Sequence, residues 1–161
     1  MSSRKPITPE MALSKGASLC ARCEQCTYDI MRKFERWGLS RRDADAVMLQ
    51  LEQKGFISDA RYAAAYAHDK LVFSGWGARK IAMGLAAKRI PRDMIAEALS
   101  TLDKEEYVAV AKRVLSSRLR LTPALTETYE GKQKLLRFGV QRGFPIALVS
   151  GIINQLISGE D

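Results

Sequence analysis

The residues of this chain with the most obvious chemical potential are three cysteines, Cys20, Cys23 and Cys26, which stand three residues apart in the stretch LCARCEQCTY. Such spacing is typical of metal and redox sites. A zinc site needs about four ligands, and the fourth would have to be the distant His68. A clustered iron–sulfur run would place its fourth cysteine at a position that holds Ile30. The stretch therefore favours structural cysteines, and we expect no metal or other cofactor.

Catalytic patterns are absent from the sequence. The single histidine, His68, lies in an alanine- and tyrosine-rich segment with no fixed partner, and most carboxylates stand beside basic residues, as in Arg41–Asp45. No nucleophile motif, phosphate-binding lysine loop or HExxH zinc motif is found. We therefore expect a protein that is not an enzyme.

A glycine-rich hexapeptide, Gly75–Lys80, invites comparison with a dinucleotide-binding loop. It lacks the third glycine and follows a predicted helix, whereas the dinucleotide fingerprint follows a strand. The segment is better interpreted as a turn between two helices. Trp76 within it is expected either to be exposed for stacking on a partner or to be partly buried against the preceding helix.

Size and charge restrict the class of protein further. The chain has 161 residues, of which 47% are hydrophobic, enough for one ordinary domain or a short array. Its formal net charge of +8 favours a polyanion or an acidic protein as partner, through an attraction that salt weakens. The sequence shows neither a membrane-spanning run nor a signal peptide at its start. We therefore expect no membrane association and a cytoplasmic location with reduced thiols.

Start and stop signals indicate helices throughout. Thr8 followed by Pro9, and Ser58 followed by Asp59, are typical helix starts, and glycines stand where periodic segments end. No segment alternates as a strand does. The sequence predicts an all-α fold, with first helices at about Pro9–Cys23, Asp59–Phe73 and Lys104–Arg120.

The chain also contains an internal sequence repeat. Segments that begin at Ile30, Ile81 and Leu135 align without gaps as helix, tight turn and helix. Nine residues into each copy stands a large apolar residue, and an i, i+3, i+4, i+7 apolar stripe follows. With the helix upstream of each copy, the pattern predicts three tandem three-helix repeats stacked into an elongated, curved array. We expect a flexible tail at 1–7 and repeats at 8–57, 58–102 and 103–158. Repeat length and helix count disfavour a tetratricopeptide-type peptide-binding scaffold.

Basic residues are concentrated in two acid-free stretches, one in the second repeat and one in the third. Much of this charge falls on the second helix of each repeat, so stacking would align it as a basic stripe. We predict that this stripe is the binding surface, facing a phosphate backbone or an acidic protein groove. Its members are Lys70, Arg79, Lys80, Lys88, Arg89, Arg92, Lys132, Lys134, Arg137 and Arg142.

The second repeat resembles the central repeat of the RecX family, bacterial regulators of the RecA recombinase. The family pattern D-x-R-[FY]-A-x-x-[FY], then G-x-G-x-x-[KR]-I, is matched by residues 59–66 and 75–81. KLLRFGVQRGF at 134–144 is similar to the opening of the family's last repeat. The resemblance extends over about residues 8–156.

Two residues depart from the family pattern. Arg89 replaces a usual glycine, so that its turn either needs another backbone conformation or accepts left-handed strain. Gly139 replaces a large apolar residue, which either weakens the packing or marks the close approach of another helix.

The resemblance implies a function that the residues alone do not. It implies a monomeric regulator that binds RecA filaments on single-stranded DNA and modulates, mainly by inhibition, filament extension, ATP hydrolysis, strand exchange and co-protease activity in DNA repair and the SOS response. Binding to single-stranded or duplex DNA would be weak and salt-dependent. The alternative is a basic helical-repeat nucleic-acid-binding module that acts without RecA.

The resemblance also places the cysteines at the hinge between the first two helices. Cys20 continues an apolar stripe and is expected to be buried, and Cys23 falls near the end of the first helix. Cys26 takes the family's serine N-cap position. A thiol there is expected to ionise more easily, because it lies at a helix N-terminus.

Overall fold

A computed structural model of the chain describes residues 5–159. Within that range the chain forms nine α-helices and one short 3₁₀ helix, Pro123–Thr126, with no strand. The all-α class is therefore confirmed. The α-helices are α1 (Pro9–Arg22), α2 (Thr27–Arg36), α3 (Arg41–Gln53), α4 (Asp59–Val72), α5 (Ala78–Ala87), α6 (Arg92–Ser100), α7 (Lys104–Leu121), α8 (Tyr129–Gln141) and α9 (Ile146–Ser158).

The first helix of each repeat begins at a side-chain cap. The hydroxyl oxygens of Thr8 and Ser58 each accept a hydrogen bond, at 3.2 Å, from an amide three residues on. The carboxylate of Asp103 accepts one at 2.8 Å. Each bond satisfies an amide that has no partner within its helix. The three first helices thus begin where the sequence predicts and end within a residue of the predicted position.

One helix-ending turn recurs in all three repeats, at Gly38, Arg89 and Gly143. These residues have positive φ angles of 82°, 58° and 100°. The amide of the apolar residue that follows each of them donates to the carbonyl five residues back, at 3.0–3.2 Å, as in a Schellman motif. Arg89 accepts the left-handed strain named above, which costs about 1–2 kcal/mol for a side chain with a Cβ. The three following residues are buried: Leu39, Ile90 and Phe144.

The repeats divide into two cores. Repeat 1 (α1–α3) encloses its own core around Ile30, Phe34 and Leu51. Repeats 2 (α4–α6) and 3 (α7–α9) share one continuous core, in which Leu85 and Leu135 are completely buried. Repeats 2 and 3 are therefore one packed unit, to which repeat 1 is joined.

Gly139, in the middle of α8, lies at a close helix approach. A Cβ there would lie 2.6 Å from Cγ1 of Val149 on α9 and 3.2 Å from Cδ2 of Leu115 on α7. Real Cβ atoms do not approach so closely, so α8 can reach its neighbours only with glycine at this position. The second of the two interpretations of Gly139 is therefore confirmed.

The start of the chain is described from residue 5. The predicted tail at 1–7 lies partly outside the described residues, and its boundary stays a prediction. Within the described part, the amide of Ile7 donates to the carbonyl of Trp37 at 3.3 Å, and Ile7 packs on the core of repeat 1. No α-helix in 5–159 combines the length and the apolarity needed to cross a membrane.

Candidate interaction surface

Repeats 2 and 3 meet at the loop between α4 and α5. Gly75 turns the chain out of α4 with a φ of 67°. The amide of Gly77 then donates to the carbonyl of Arg142 at 2.7 Å, and the amide of Arg79 to that of Gly143 at 3.2 Å. The guanidinium of Arg142 donates in return to the carbonyl of Ser74 at 3.1 Å. The start of α5 is therefore bound to the turn between α8 and α9.

These hydrogen bonds determine whether the segment Gly75–Lys80 could bind a phosphate. A phosphate-binding loop offers free amides at the start of a helix. Here the amides of Gly77 and Arg79 are bound to repeat 3, and that of Ala78 donates to the hydroxyl oxygen of the partly buried Tyr107 at 2.9 Å. The hexapeptide is thus a structural junction between repeats.

The ring of Trp76 contacts two of the predicted basic residues, Lys70 and Lys80. It is partly buried and meets Tyr66 edge-on, with ring centroids 6.5 Å apart. The ammonium groups of Lys70 and Lys80 lie 4.7 and 4.6 Å from its ring centroid. This is within cation–π range. Both lysines therefore contribute to the packing of the junction as well as to its charge.

Repeats 1 and 2 are joined by Cys26, which is buried in the core of repeats 2 and 3, and by polar contacts. Lys88 Nζ lies 2.9 and 3.1 Å from the carboxylate oxygens of Asp29, and this hydrogen bond raises the pKa of Lys88. The guanidinium of Arg89 lies over the ring of Tyr28, 5.3 Å from its centroid. Two further bonds cross the same junction: Asp59 caps the amide of Thr27 at 2.8 Å, and Arg61 pairs with Glu24 at 2.7 Å.

The remaining predicted residues differ in their accessibility. Arg79, Arg92, Lys134 and Arg137 are exposed, and Lys132 is partly buried. Among the described residues, the side chains of these five make no hydrogen bond, ion pair or cation–π contact. Lys134 and Arg137 share one face of α8, because they are three residues apart. The structure thus separates basic side chains that are free for a partner from those already bound at the two junctions.

Sequence reasoning missed two basic residues of repeat 3: Arg113, which contacts repeat 2, and Arg118, whose contact lies within repeat 3. Arg113 on α7 donates to the carbonyl of Val72 at 2.9 Å, and Arg118 lies 5.4 Å from the ring centroid of Phe138. A third acid-free stretch, between Glu106 and Glu127, holds both of them. The criterion that identified the other two stretches would have found this one.

The cysteine stretch is a helix junction. Cys20 is partly buried, less than expected, and burial raises the pKa of its thiol; Cys23 is the exposed C-cap residue of α1. Cys26 is the N-cap of α2, but it is completely buried, and burial raises its pKa to about 11. The expectation that Cys26 ionises more easily is therefore wrong, because desolvation of the thiolate outweighs the helix N-terminus.

We predict that the three thiols differ in alkylation rate. Iodoacetamide at mildly alkaline pH should modify exposed Cys23 first and buried Cys26 at least about 100-fold more slowly, because only the thiolate reacts. Peptide mass spectrometry over time gives the rates. In denaturant, the alkylation rate of Cys26 should approach that of Cys23. Comparable rates for the two thiols in the folded protein would contradict the burial of Cys26.

No cluster of three or more metal-ligating side chains occurs within residues 5–159. His68 is exposed on α4, with Nδ1 3.3 Å from a carboxylate oxygen of Asp69 and Nε2 4.0 Å from one of Glu106. These partners lie on an open helix surface rather than in a cleft.

The fold and its charge define a class: basic, all-α proteins of three tandem three-helix repeats. A family model described as "RecX, second three-helix domain" matches residues 58–99, which include all of repeat 2 up to Leu99. The chain belongs to the RecX family. The resemblance seen in the sequence is thereby confirmed.

Curated relatives match most of the chain in sequence. "Regulatory protein RecX" of Legionella pneumophila (strain Corby) is 25% identical over 147 residues, 91% of this chain and 95% of that protein. Its counterpart in Clostridium botulinum (strain Eklund 17B / Type B) is 30% identical over 111 residues, 68% of this chain. The match spans only 51% of the clostridial protein's length.

Solved structures agree on the fold. The crystal structure of RecX from Lactobacillus salivarius matches with a TM-score of 0.75 and 17% identity, over 90% of this chain and 96% of that one. A second RecX crystal structure gives a TM-score of 0.75 and 20% identity, over 91% of this chain and 73% of that one.

Proposed function

We propose that this protein binds RecA filaments assembled on single-stranded DNA and inhibits their extension. ATP hydrolysis, strand exchange and co-protease activity of RecA would decrease as a consequence, in DNA repair and the SOS response. The protein would act in the cytoplasm as a monomer and without catalysis of its own. The observation that carries this proposal is membership of the RecX family, whose members bear the name of regulatory proteins.

Two structural features support binding to a filament. Exposed basic side chains on α5, α6 and α8 are free for acidic protein surface or for phosphates, and this attraction would weaken with salt. Repeats 2 and 3 share a core, whereas repeat 1 has its own. A chain of separately packed units can contact more than one filament subunit at once, and linked contacts increase the overall affinity.

The test is RecA-dependent ATP hydrolysis on circular single-stranded DNA, with this protein added from sub-stoichiometric to equimolar amounts. We expect hydrolysis to slow progressively, because a filament that cannot extend loses active subunits. Hydrolysis unchanged at equimolar protein would refute the proposal. A triple charge reversal in repeat 1, at Arg36, Arg42 and Lys54, which are exposed, provides the control for charge alone.

A DNA titration without RecA distinguishes the alternative, a nucleic-acid-binding module. The apolar stripe of each repeat's third helix is used in the core, as Val149, Ile152 and Ile153 show in α9. Those side chains cannot read base edges, so we expect weak, salt-sensitive binding with no sequence preference. Tight duplex binding that persists in salt would favour the module instead.

A further inference from the structure

A cleft of about 330 Å³ lies where the end of α4 meets α7 and α8. Phe73 and Leu121 both line this cleft and are 80% and 78% exposed, high values for large apolar side chains. Three arginines line the same cleft, and no carboxylate does. We call it the arginine cleft; its lining includes Phe73, Arg113, Val114, Arg118, Leu121 and Arg142.

The arginine cleft is held in place by its own arginines. Arg113 donates to the carbonyl of Val72 at 2.9 Å, and Arg142 to that of Ser74 at 3.1 Å. These carbonyls flank Phe73 on both sides in the chain. Repeat 3 therefore fixes the loop of repeat 2 that presents Phe73, and a partner would find the site already formed.

The same arginines keep most of their hydrogen-bonding capacity. A guanidinium has five N–H donors, and the bonds to Val72 and Ser74 use one donor of Arg113 and one of Arg142. Arg118 lies against the ring of Phe138, 5.4 Å from its centroid, and donates no hydrogen bond within the described residues. Aromatic surface between guanidinium groups is the composition of a binding hot spot.

We propose that the arginine cleft binds an acidic peptide segment that carries one large apolar side chain. The apolar side chain would occupy the space between Phe73 and Leu121. Carboxylates beside it would pair with the three guanidiniums, for which bidentate carboxylate bonds are the best geometric match. The charge of the cleft, which is entirely positive, is complementary to such a segment.

A nucleic-acid strand fits the arginine cleft less well. Phosphates would pair with the arginines, but the base would enter a space bounded by Val114 and Leu121. The hydrogen-bonding groups on the edge of a base would then lose water without gaining partners there. An aliphatic or aromatic side chain has no such groups, so the apolar walls favour the peptide.

This proposal goes beyond the function proposed above, since it names a peptide class without reference to RecA. Its test uses the purified chain alone and is read separately from the hydrolysis assay. The probe is a fluorescein-labelled peptide of glutamates around one central phenylalanine, followed by fluorescence anisotropy. The matched probe has alanine at the centre. We expect the phenylalanine peptide to bind at least about tenfold more tightly.

Two variants place the binding in the cleft. Phe73→Ser removes an exposed apolar wall, and Arg118→Glu reverses a charge that makes no hydrogen bond in the described part of the chain. Each should weaken binding of the phenylalanine peptide at least about tenfold. Met83→Ser and Lys112→Glu are the matched controls, because both residues are exposed outside the arginine cleft. Circular dichroism melts establish that all four variants fold.

Three outcomes of the peptide titrations would overturn the proposal, and one outcome of a parallel oligothymidine titration would do so as well. They are equal affinity for the two peptides, no binding of the phenylalanine peptide up to about 1 mM, and unchanged affinity in both cleft variants. An oligothymidine probe competes in parallel. If it binds more tightly than the peptide and loses that affinity in Phe73→Ser, the cleft is a nucleic-acid site and the peptide proposal fails.

Discussion

Replacement of Gly77 by alanine is expected to lower the free energy of unfolding by about 3 kcal/mol or more, the upper range for overpacking. A Cβ at this position would lie 2.5 Å from the carbonyl oxygen of Gly143 and 2.5 Å from the amide nitrogen of Phe144. Both atoms belong to the backbone, so no side chain can rotate away. The start of α5 would have to leave repeat 3, with loss of the 2.7 Å bond from Gly77 to Arg142.

The measurement is urea unfolding followed by circular dichroism, with hydrogen exchange at the amide of Arg79 to report the junction. Gly77 has an ordinary φ of −83°, so alanine adds bulk without backbone strain. Gly151→Ala in α9 is the matched control, because a Cβ there meets nothing within 4 Å. That variant should gain about 0.5–1 kcal/mol from helix propensity. A loss below about 1 kcal/mol for Gly77→Ala would show that the junction adapts.

Reversal of three exposed basic residues is expected to abolish most of the inhibition of RecA. In the triple variant Arg79→Glu, Lys134→Glu and Arg137→Glu, attraction to an acidic or phosphate surface becomes repulsion. We expect the concentration for half inhibition of ATP hydrolysis to rise at least about tenfold, equivalent to about 1.4 kcal/mol of binding free energy. Among residues 5–159 these side chains make no hydrogen bond, ion pair or cation–π contact, so the unfolding transition should stay in place.

The structure determines which residues this experiment must leave alone. Lys88 pairs with Asp29 and Arg89 lies over Tyr28, so reversing either would disturb the junction of repeats 1 and 2 along with any partner contact. The matched control is a triple reversal in repeat 1, at Arg36, Arg42 and Lys54, which are exposed. Equal loss of inhibition in both triple variants would mean that net charge, and not the predicted surface, drives binding.

The helices and the turns between them were predictable from the sequence. Caps such as Thr8 and Ser58, and the turn residues Gly38 and Gly143, act over three to five residues, so their effect can be recognised locally. At Arg89 the sequence left two alternatives, another backbone conformation or left-handed strain, and the structure has the second. The apolar periodicity of the sequence was enough to predict the all-α class for the same reason, because an apolar stripe indicates which face of a helix is buried.

The state of individual side chains was less predictable. Five of the ten basic residues predicted to form one binding stripe are bound at junctions: Lys70, Lys80, Lys88, Arg89 and Arg142. Position in an acid-free stretch does not reveal this, because their partners lie elsewhere in the chain or across a loop. Cys26 illustrates the same limit, since its place at a helix N-terminus is local while its burial is not.

By itself, the sequence determined an all-α chain of three tandem three-helix repeats, its positive charge and its resemblance to the RecX family. Those properties follow from composition and from contacts between neighbours along the chain. Only the tertiary structure decided that repeats 2 and 3 share a core, which arginines meet at the cleft beside Phe73, and which basic side chains stay free. The physical reason is that pairing and desolvation depend on groups brought together from distant positions, as Lys88 and Asp29 are.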